Sequence, residues 1–228
     1  MSRRKPPVGA RDRRGGNALL SSALTSPVAF ERRAQVSGSA GQTGGRSDST
    51  LTAKQNEAQR DQRLSAEIFA ESLVEGLQQA DVALVAGLAD GLLAPSIARL
   101  EALASPRYVA CAREEECIGV AAGAIIAGQR AAVLCQNAGF LNSIGAFATL
   151  AVRYRLPIVC IVANRGGIGD AKPYDIEKFE TFSRTVPQIA HVHTVTFAQF
   201  TPSTIVDAFA WAKAADRPMI LSIERGSP

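Results

Sequence analysis

Residues suited to holding a metal are scarce in this chain: of 228 residues, two are histidine and four cysteine. His191 and His193 alternate with valines on an apolar stretch, the pattern of a solvent-facing or edge pair on a strand, so neither argues for a metal site. Cys111, Cys117, Cys135 and Cys160 stand singly in apolar surroundings with no Cys-x-x-Cys spacing, and buried free thiols are expected rather than a redox pair. Long apolar runs are missing too. The weakly apolar stretch from Ala18 to Phe30 is broken by Ser, Thr and Pro, and is too short and polar for a membrane span or a secretory signal.

The net charge of +4 is unevenly distributed. Residues 1–60 contain 11 Lys/Arg against 4 Asp/Glu, whereas 61–228 contain 14 against 17. The basic balance therefore belongs to the first segment, where aromatic residues do not interleave with the cations as a stacking platform would require, and no nucleic-acid partner is implied. That segment is rich in Arg, Ser and Gly and lacks periodicity, so residues 1–60 are expected to be a disordered basic tail. The same composition describes an organelle transit peptide or a solvated extension; a cytoplasmic protein is expected, with import through the tail as the alternative. At 46% hydrophobic residues the chain can fill the core of one good-sized domain, expected at 61–228.

From Leu64 onward helix and strand signals alternate. Leu64, Ile68, Leu73 and Leu77 predict a first helix. Short apolar strands are predicted near Val82–Ala86, Tyr108–Cys111, Ala131–Cys135, Ile158–Val162, Val192–Thr196 and Met219–Ile223. Helices are predicted between them, near Leu92–Leu103, from Glu114, and near Ser143–Tyr154, Lys178–Ile189 and Ser203–Ala214. Nearly continuous apolar strands separated by helices imply an α/β fold of three layers (α/β/α) around a mostly parallel six-stranded sheet. Ligands of such sheets bind beyond the carboxyl ends of the strands, where Asp90, Glu114, Gln136 and Arg165 all fall.

One stretch carries most of the functional signal. Arg113 to Asn142 reads REEECIGVAAGAIIAGQRAAVLCQNAGFLN: an acidic triplet opens a small-residue helix, an apolar strand follows, and then Gln-Asn-x-Gly. Small residues let backbone or a ligand approach closely, so a carboxylate at that helix mouth should meet a polar group. The run resembles the pyrimidine-binding domain of thiamine-diphosphate enzymes, and most closely the sulfopyruvate and phosphonopyruvate decarboxylases. In these a Glu precedes Ala-Ala-Gly at a fixed interval and the next strand ends in Gln-Asn-Ser-Gly. Glu114 stands nine residues before Gly123 of Ala121-Ala122-Gly123 and is the matching carboxylate. Gly87-Leu88-Ala89-Asp90-Gly91-Leu92-Leu93 is similar to the family's Gly-Val-Pro-Asp-Ser-Leu-Leu. Asn164-Arg165-Gly166-Gly167-Ile168-Gly169-Asp170 stands where those enzymes carry an Arg-Gly loop.

The resemblance implies a thiamine-diphosphate-binding fold, pyrimidine domain, and a role for each matching position. Glu114 would hydrogen-bond the cofactor's pyrimidine nitrogen, the protein tuning the cofactor rather than attacking the substrate. Glu115 and Glu116 read as acidic residues complementing the helix dipole. Gln136, Asn137 and Gly139 would face the cofactor or an anionic substrate, with Ala138 in place of the family's Ser and Leu141 in place of a second Gly. Asn142 would direct the amides of a helix beginning there at an anion, or serve as its N-cap. Arg165 would pair with the substrate's acidic head, and its glycine-rich loop would close over it. Asp90 would lie near the substrate or cap the helix that follows.

The family holds the diphosphate through Mg2+ on a Gly-Asp-Gly segment in a second domain, and no such segment occurs here. The resemblance therefore implies a separate beta-type subunit carrying the metal and diphosphate site, as in the split sulfopyruvate decarboxylases, and hence a hetero-oligomer. The expected activity is decarboxylation of a small anionic 2-oxo acid, 3-sulfopyruvate to sulfoacetaldehyde and carbon dioxide. Phosphonopyruvate or another short anionic 2-oxo acid is the first alternative, and a non-catalytic regulatory or scaffolding domain is the alternative of a different class.

Overall fold

In the computed structural model, residues 47–170 and 172–226 are described. Of the expected tail, residues 1–46 lie outside them, and from Ser47 the backbone is helical: α1 spans Ser47–Gln79. Six strands follow, β1 Leu84–Gly87, β2 Arg107–Ala110, β3 Ala131–Gln136, β4 Val159–Ala163, β5 His191–Thr196 and β6 Met219–Glu224. Each lies within two residues of the position predicted from sequence. They form one sheet in the order β2-β1-β3-β4-β6-β5, and every neighbouring pair is parallel.

The helices between them are α2 Ala94–Glu101, α3 Glu114–Ile126, α4 Asn137–Asn142, α5 Ile144–Ala146, α6 Ile176–Thr185 and α7 Pro202–Ala215, with a π-helical segment at Phe147–Val152. Successive strand residues point to opposite faces of a sheet, and the buried residues divide accordingly. Ala132 and Leu134 of β3, Val159 and Ile161 of β4, and Leu221 and Ile223 of β6 pack with α1, α2 and α7. Ala131, Val133 and Cys135, then Cys160 and Val162, and Ile220 pack with Cys117 and Ile118 of α3, Phe140 of α4 and Phe182 of α6. These are the three layers expected. His191 and His193 stand exposed on the edge strand β5, and Cys117, Cys135 and Cys160 are buried free thiols, with Cys111 half-buried.

Two predicted details differ. Of the four residues whose spacing predicted α1, Leu73 and Leu77 lie on its buried face with Phe69 and Ala70, whereas Leu64 and Ile68 are 61% and 57% exposed. The step of five from Ile68 to Leu73 turns about 140° around a helix of 3.6 residues per turn, so the two cannot share a face. The helix expected from Ser143 begins earlier, at Asn137, directly from the end of β3. Asn142 consequently closes α4 and opens no helix.

Helix α1 crosses α7 at Gly76, where a Cβ would lie 2.6 Å from the Pro202 carbonyl oxygen and 2.9 Å from the Ile205 Cβ. Backbone cannot yield as a flexible side chain does. Gly76→Val is therefore expected to cost about 1–3 kcal/mol by overpacking, despite glycine's poor helix propensity. Denaturant unfolding midpoints measure it; a stability equal to or above the wild type would contradict this packing.

Candidate active site

The chain runs from β1 to β2 on one side and then over to β3 on the other, so β1 and β3 are neighbours whose outgoing segments part to opposite faces. Such a switch leaves a crevice at the carboxyl edge of the sheet. Asp90 follows β1, Glu114 opens the helix after β2, Gln136 and Asn137 end β3, and Arg165 follows β4. The topology thus brings to one edge six of the seven positions expected from sequence, Gly139 among them in the first turn of α4; exposed Asn142 stands at the far end of α4.

The three acidic residues at the start of α3 behave differently. Glu116 accepts a hydrogen bond from the Ala112 N–H at 2.9 Å, and Glu115 pairs with Arg113 at 3.1 Å. Its own backbone N–H and then the Arg113 guanidinium hold the Glu115 carboxyl below the usual range. Both serve the helix start, as expected. Glu114 turns instead onto α4, and a Cβ added to Gly139 would fall 1.9 Å from Glu114 Oε1 and 2.3 Å from its Cδ. Only glycine leaves room for that carboxyl. Among the described residues it is half-buried and has no hydrogen-bond or ion-pair partner.

Asn137 is fully buried, and its amide is spent on protein groups. Its Nδ2 donates to Asn164 Oδ1 and to the Arg165 carbonyl, each at 2.9 Å, while its Oδ1 accepts from the Ala138 N–H at 2.9 Å. Asn164 in turn donates to Glu224 Oε1 at 3.2 Å. Burial pushes the Glu224 carboxyl up, with the Asn164 hydrogen bond opposing it. Asn137 therefore bolts the end of β3 to the loop after β4. Gln136, half-buried at the N-cap of α4, makes no side-chain cap bond.

Arg165, expected on a mobile loop, is 6% exposed. Its Nε donates to Asp170 Oδ2 at 2.5 Å and its Nη2 to Asp170 Oδ1 at 3.3 Å, while Nη1 lies 3.9 Å from Asp90 Oδ2. The loop closes this tightly because Gly166 adopts φ +99°, and a Cβ there would strike the Asp175 carbonyl at 2.1 Å. The Asp170 hydrogen bond, against the pull of burial, holds the Arg165 guanidinium above its ordinary value. Burial pushes Asp170 up, but the Arg165 hydrogen bond and charge and the Gly166 N–H outweigh it, so that carboxyl lies below the usual range. Asp90 also accepts from the Leu92 N–H at 2.8 Å, so it serves both the helix entry and the Arg165 side of the crevice. Asp170, Asn164 and Glu224 were not singled out from sequence; the signal for Asp170 was an acidic residue closing a Gly-rich loop opened by Arg165.

Burial comes first among the causes that push the Cys117, Cys135 and Cys160 thiols up, and the Glu114 charge adds to it at Cys117 and Cys135. None is poised as a nucleophile. Among the described residues no group of three or more His, Cys, Asp and Glu could hold a metal, and no helix is long and apolar enough to cross a membrane.

Residues 68–176 match the family described as thiamine pyrophosphate enzyme, N-terminal TPP binding domain. The chain is similar to the sulfopyruvate decarboxylase subunit alpha of Methanococcus maripaludis, 32% identical over 109 residues that are 48% of this chain and 62% of that one. It is 48% identical to the subunit of the same name from Methanothermobacter thermautotrophicus over 63 residues, 28% of this chain and 38% of the relative. The chain thus spans less than two thirds of either relative. Among solved structures, a benzoylformate decarboxylase from Polynucleobacter necessarius superposes with a TM-score of 0.55 at 18% identity, covering 69% of this chain and 30% of the other. A thiamine diphosphate-dependent 4-hydroxybenzoylformate decarboxylase from Rhodococcus jostii gives 0.53 at 19%, covering 71% and 30%. These last two likenesses establish the fold.

Removing the Asp170 charge leaves a buried guanidinium with only a distant partner, so Asp170→Asn should cost about 3 kcal/mol at neutral pH. Because the folded carboxyl titrates below the ordinary aspartate value of about 3.9, that contribution is complete above this value and is lost as pH falls through the folded one. Urea unfolding of both proteins between neutral pH and roughly pH 3 should show the gap closing only at the acid end. A gap unchanged throughout would place the pair outside the stability balance.

Proposed function

We propose, from the match of residues 68–176 to the thiamine pyrophosphate enzyme N-terminal TPP binding domain, that this chain is the pyrimidine-binding subunit of a thiamine-diphosphate-dependent 2-oxo acid decarboxylase. The observation that carries the reading is the Glu114 carboxyl, half-buried without a protein partner and seated on a glycine whose Cβ would displace it. A free carboxyl in a cradle that excludes a side chain fits the flat edge of a nitrogen heterocycle.

When bound, thiamine diphosphate supplies the carbon nucleophile and the electron sink that decarboxylation of a 2-oxo acid needs. Glu114 would hold the pyrimidine nitrogen through a shared proton, and Gly139 leaves the room that this carboxyl needs. Gln136 offers an amide that donates and accepts beside the substrate. Asn137 acts at one remove by fixing the β3 and β4 loops, a positioning role that differs from the direct contact expected from sequence. Arg165, committed to Asp170 along Nε and Nη2, presents Nη1 near Asp90, and the acidic head of the substrate meets that remaining edge. Asn142, exposed at the end of α4, is assigned the outer rim of the site.

The metal and the diphosphate are assigned to a beta-type partner subunit in a hetero-oligomer, and the cytoplasm is the assigned place of action. The subunit name of the two archaeal relatives supports both the split arrangement and sulfopyruvate as the substrate. Phosphonopyruvate is the nearest alternative, since an arginine edge and an amide do not separate sulfonate from phosphonate.

The test is carbon dioxide release from sulfopyruvate, and in parallel from phosphonopyruvate, by this chain purified with its candidate partner, thiamine diphosphate and Mg2+. Glu114→Gln is expected to lower kcat by about 100-fold or more, with the fold intact by circular dichroism. Gly139→Ala should lower it comparably, because its new methyl displaces the same carboxyl. Undiminished turnover in Glu114→Gln would refute the mechanism, and no turnover with any 2-oxo acid would leave a scaffolding domain as the better account.

A further inference from the structure

At the opposite edge of the sheet, by the amino ends of β4, β5 and β6, the surface forms a half-open hollow of about 880 Å³. That volume lies in the range of small-molecule sites, roughly 300–1,000 Å³. Its walls include Arg153, Arg155, Arg217, Gln188, His191 and Trp211. Arg155 pairs with Asp216 at 2.8 Å. Arg153 lies 6.0 Å from the Tyr154 ring centroid, and among the described residues neither Arg153 nor Arg217 has a carboxylate partner. The exposed imidazole of His191 stacks on the Trp211 indole, with centroids 4.3 Å apart and planes inclined by 22°.

Two unneutralised guanidiniums beside a flat, half-exposed ring pair form a bipartite surface. Guanidinium forks match phosphate oxygens, and a stacked imidazole backed by indole offers an aromatic face. We propose that this hollow binds a small phosphorylated ligand carrying a planar ring, of the nucleoside-diphosphate class, with Arg153 and Arg217 on the phosphates and the ring against His191. Nothing in this assignment depends on the decarboxylase reading.

Trp211 is the only tryptophan in the chain, so its fluorescence reports on this hollow directly. ADP, inorganic phosphate and adenosine are titrated separately into the full-length protein. The expected result is saturable quenching by ADP at concentrations at which neither phosphate nor adenosine acts alone. Arg153→Ala combined with Arg217→Ala should raise the Kd about tenfold or more while leaving the circular dichroism unchanged, because both arginines are exposed. No saturable quenching, an unchanged Kd in the double variant, or phosphate acting as well as ADP would each overturn the proposal.

Discussion

Burial of the central strands on both faces is the constraint from which the rest follows. β3, β4 and β6 are apolar along almost their whole length, because helices cover both sides of the sheet. Polar chemistry has no room within such strands and is displaced to where they end. Gln136, Asn164 and Glu224 mark that transition, each at or one residue beyond the carboxyl end of its strand. The edge that results is polar but largely self-satisfied, with Asn137, Asn164, Arg165 and Asp170 already bound to protein groups. Against that background the side chains of Glu114 and Gln136 stand out, since neither has a hydrogen-bond partner among the described residues.

Much of this was legible in the sequence because strand burial and strand polarity share one cause. Runs such as Ala131–Cys135 and Ile158–Val162 cannot be solvent-facing, and their register fell within a residue or two of the structure. Glu114 was singled out from Glu115 and Glu116 by the resemblance, whose Glu keeps the interval to Ala-Ala-Gly that Glu114 keeps to Gly123, and in the structure Glu115 and Glu116 have protein partners while Glu114 has none. Positions that depend on a long-range partner were less accessible. The exposure of Arg165 could not be judged without knowing that Asp170 folds back onto it, nor the inward turn of Asn137 without the loop after β4. Helix α1 shows the same limit in a simpler form, because its pattern slips by a residue between Ile68 and Leu73 and only packing against α7 decides which register is buried.

Glycine has two distinct uses in the crevice. At Gly166 the backbone itself requires a positive φ, which lets the loop turn sharply enough for Asp170 to reach Arg165. At Gly139 the backbone is ordinary helix, and what matters is the missing methyl, since the space it would fill belongs to another residue's carboxyl. The first shapes a loop that holds a charge pair, and the second reserves a contact surface. A sequence pattern records both as the same letter.

The Asn137 junction also bears on how the protein ages. Spontaneous deamidation turns an asparagine amide into a carboxylate, one route by which asparagine is a thermolabile residue. At Asn137 the lost Nδ2 is the group that faces two oxygen acceptors, Asn164 Oδ1 and the Arg165 carbonyl. Hydrolysis there would convert two attractive contacts into two repulsive ones and place a buried negative charge at the root of the crevice. Its complete enclosure and its place in the first turn of α4 keep both water and the required backbone geometry from it. The same bolt that aligns the two loops is thus shielded from the chemistry that would undo it, and chemical wear should reach exposed Asn142 before Asn137.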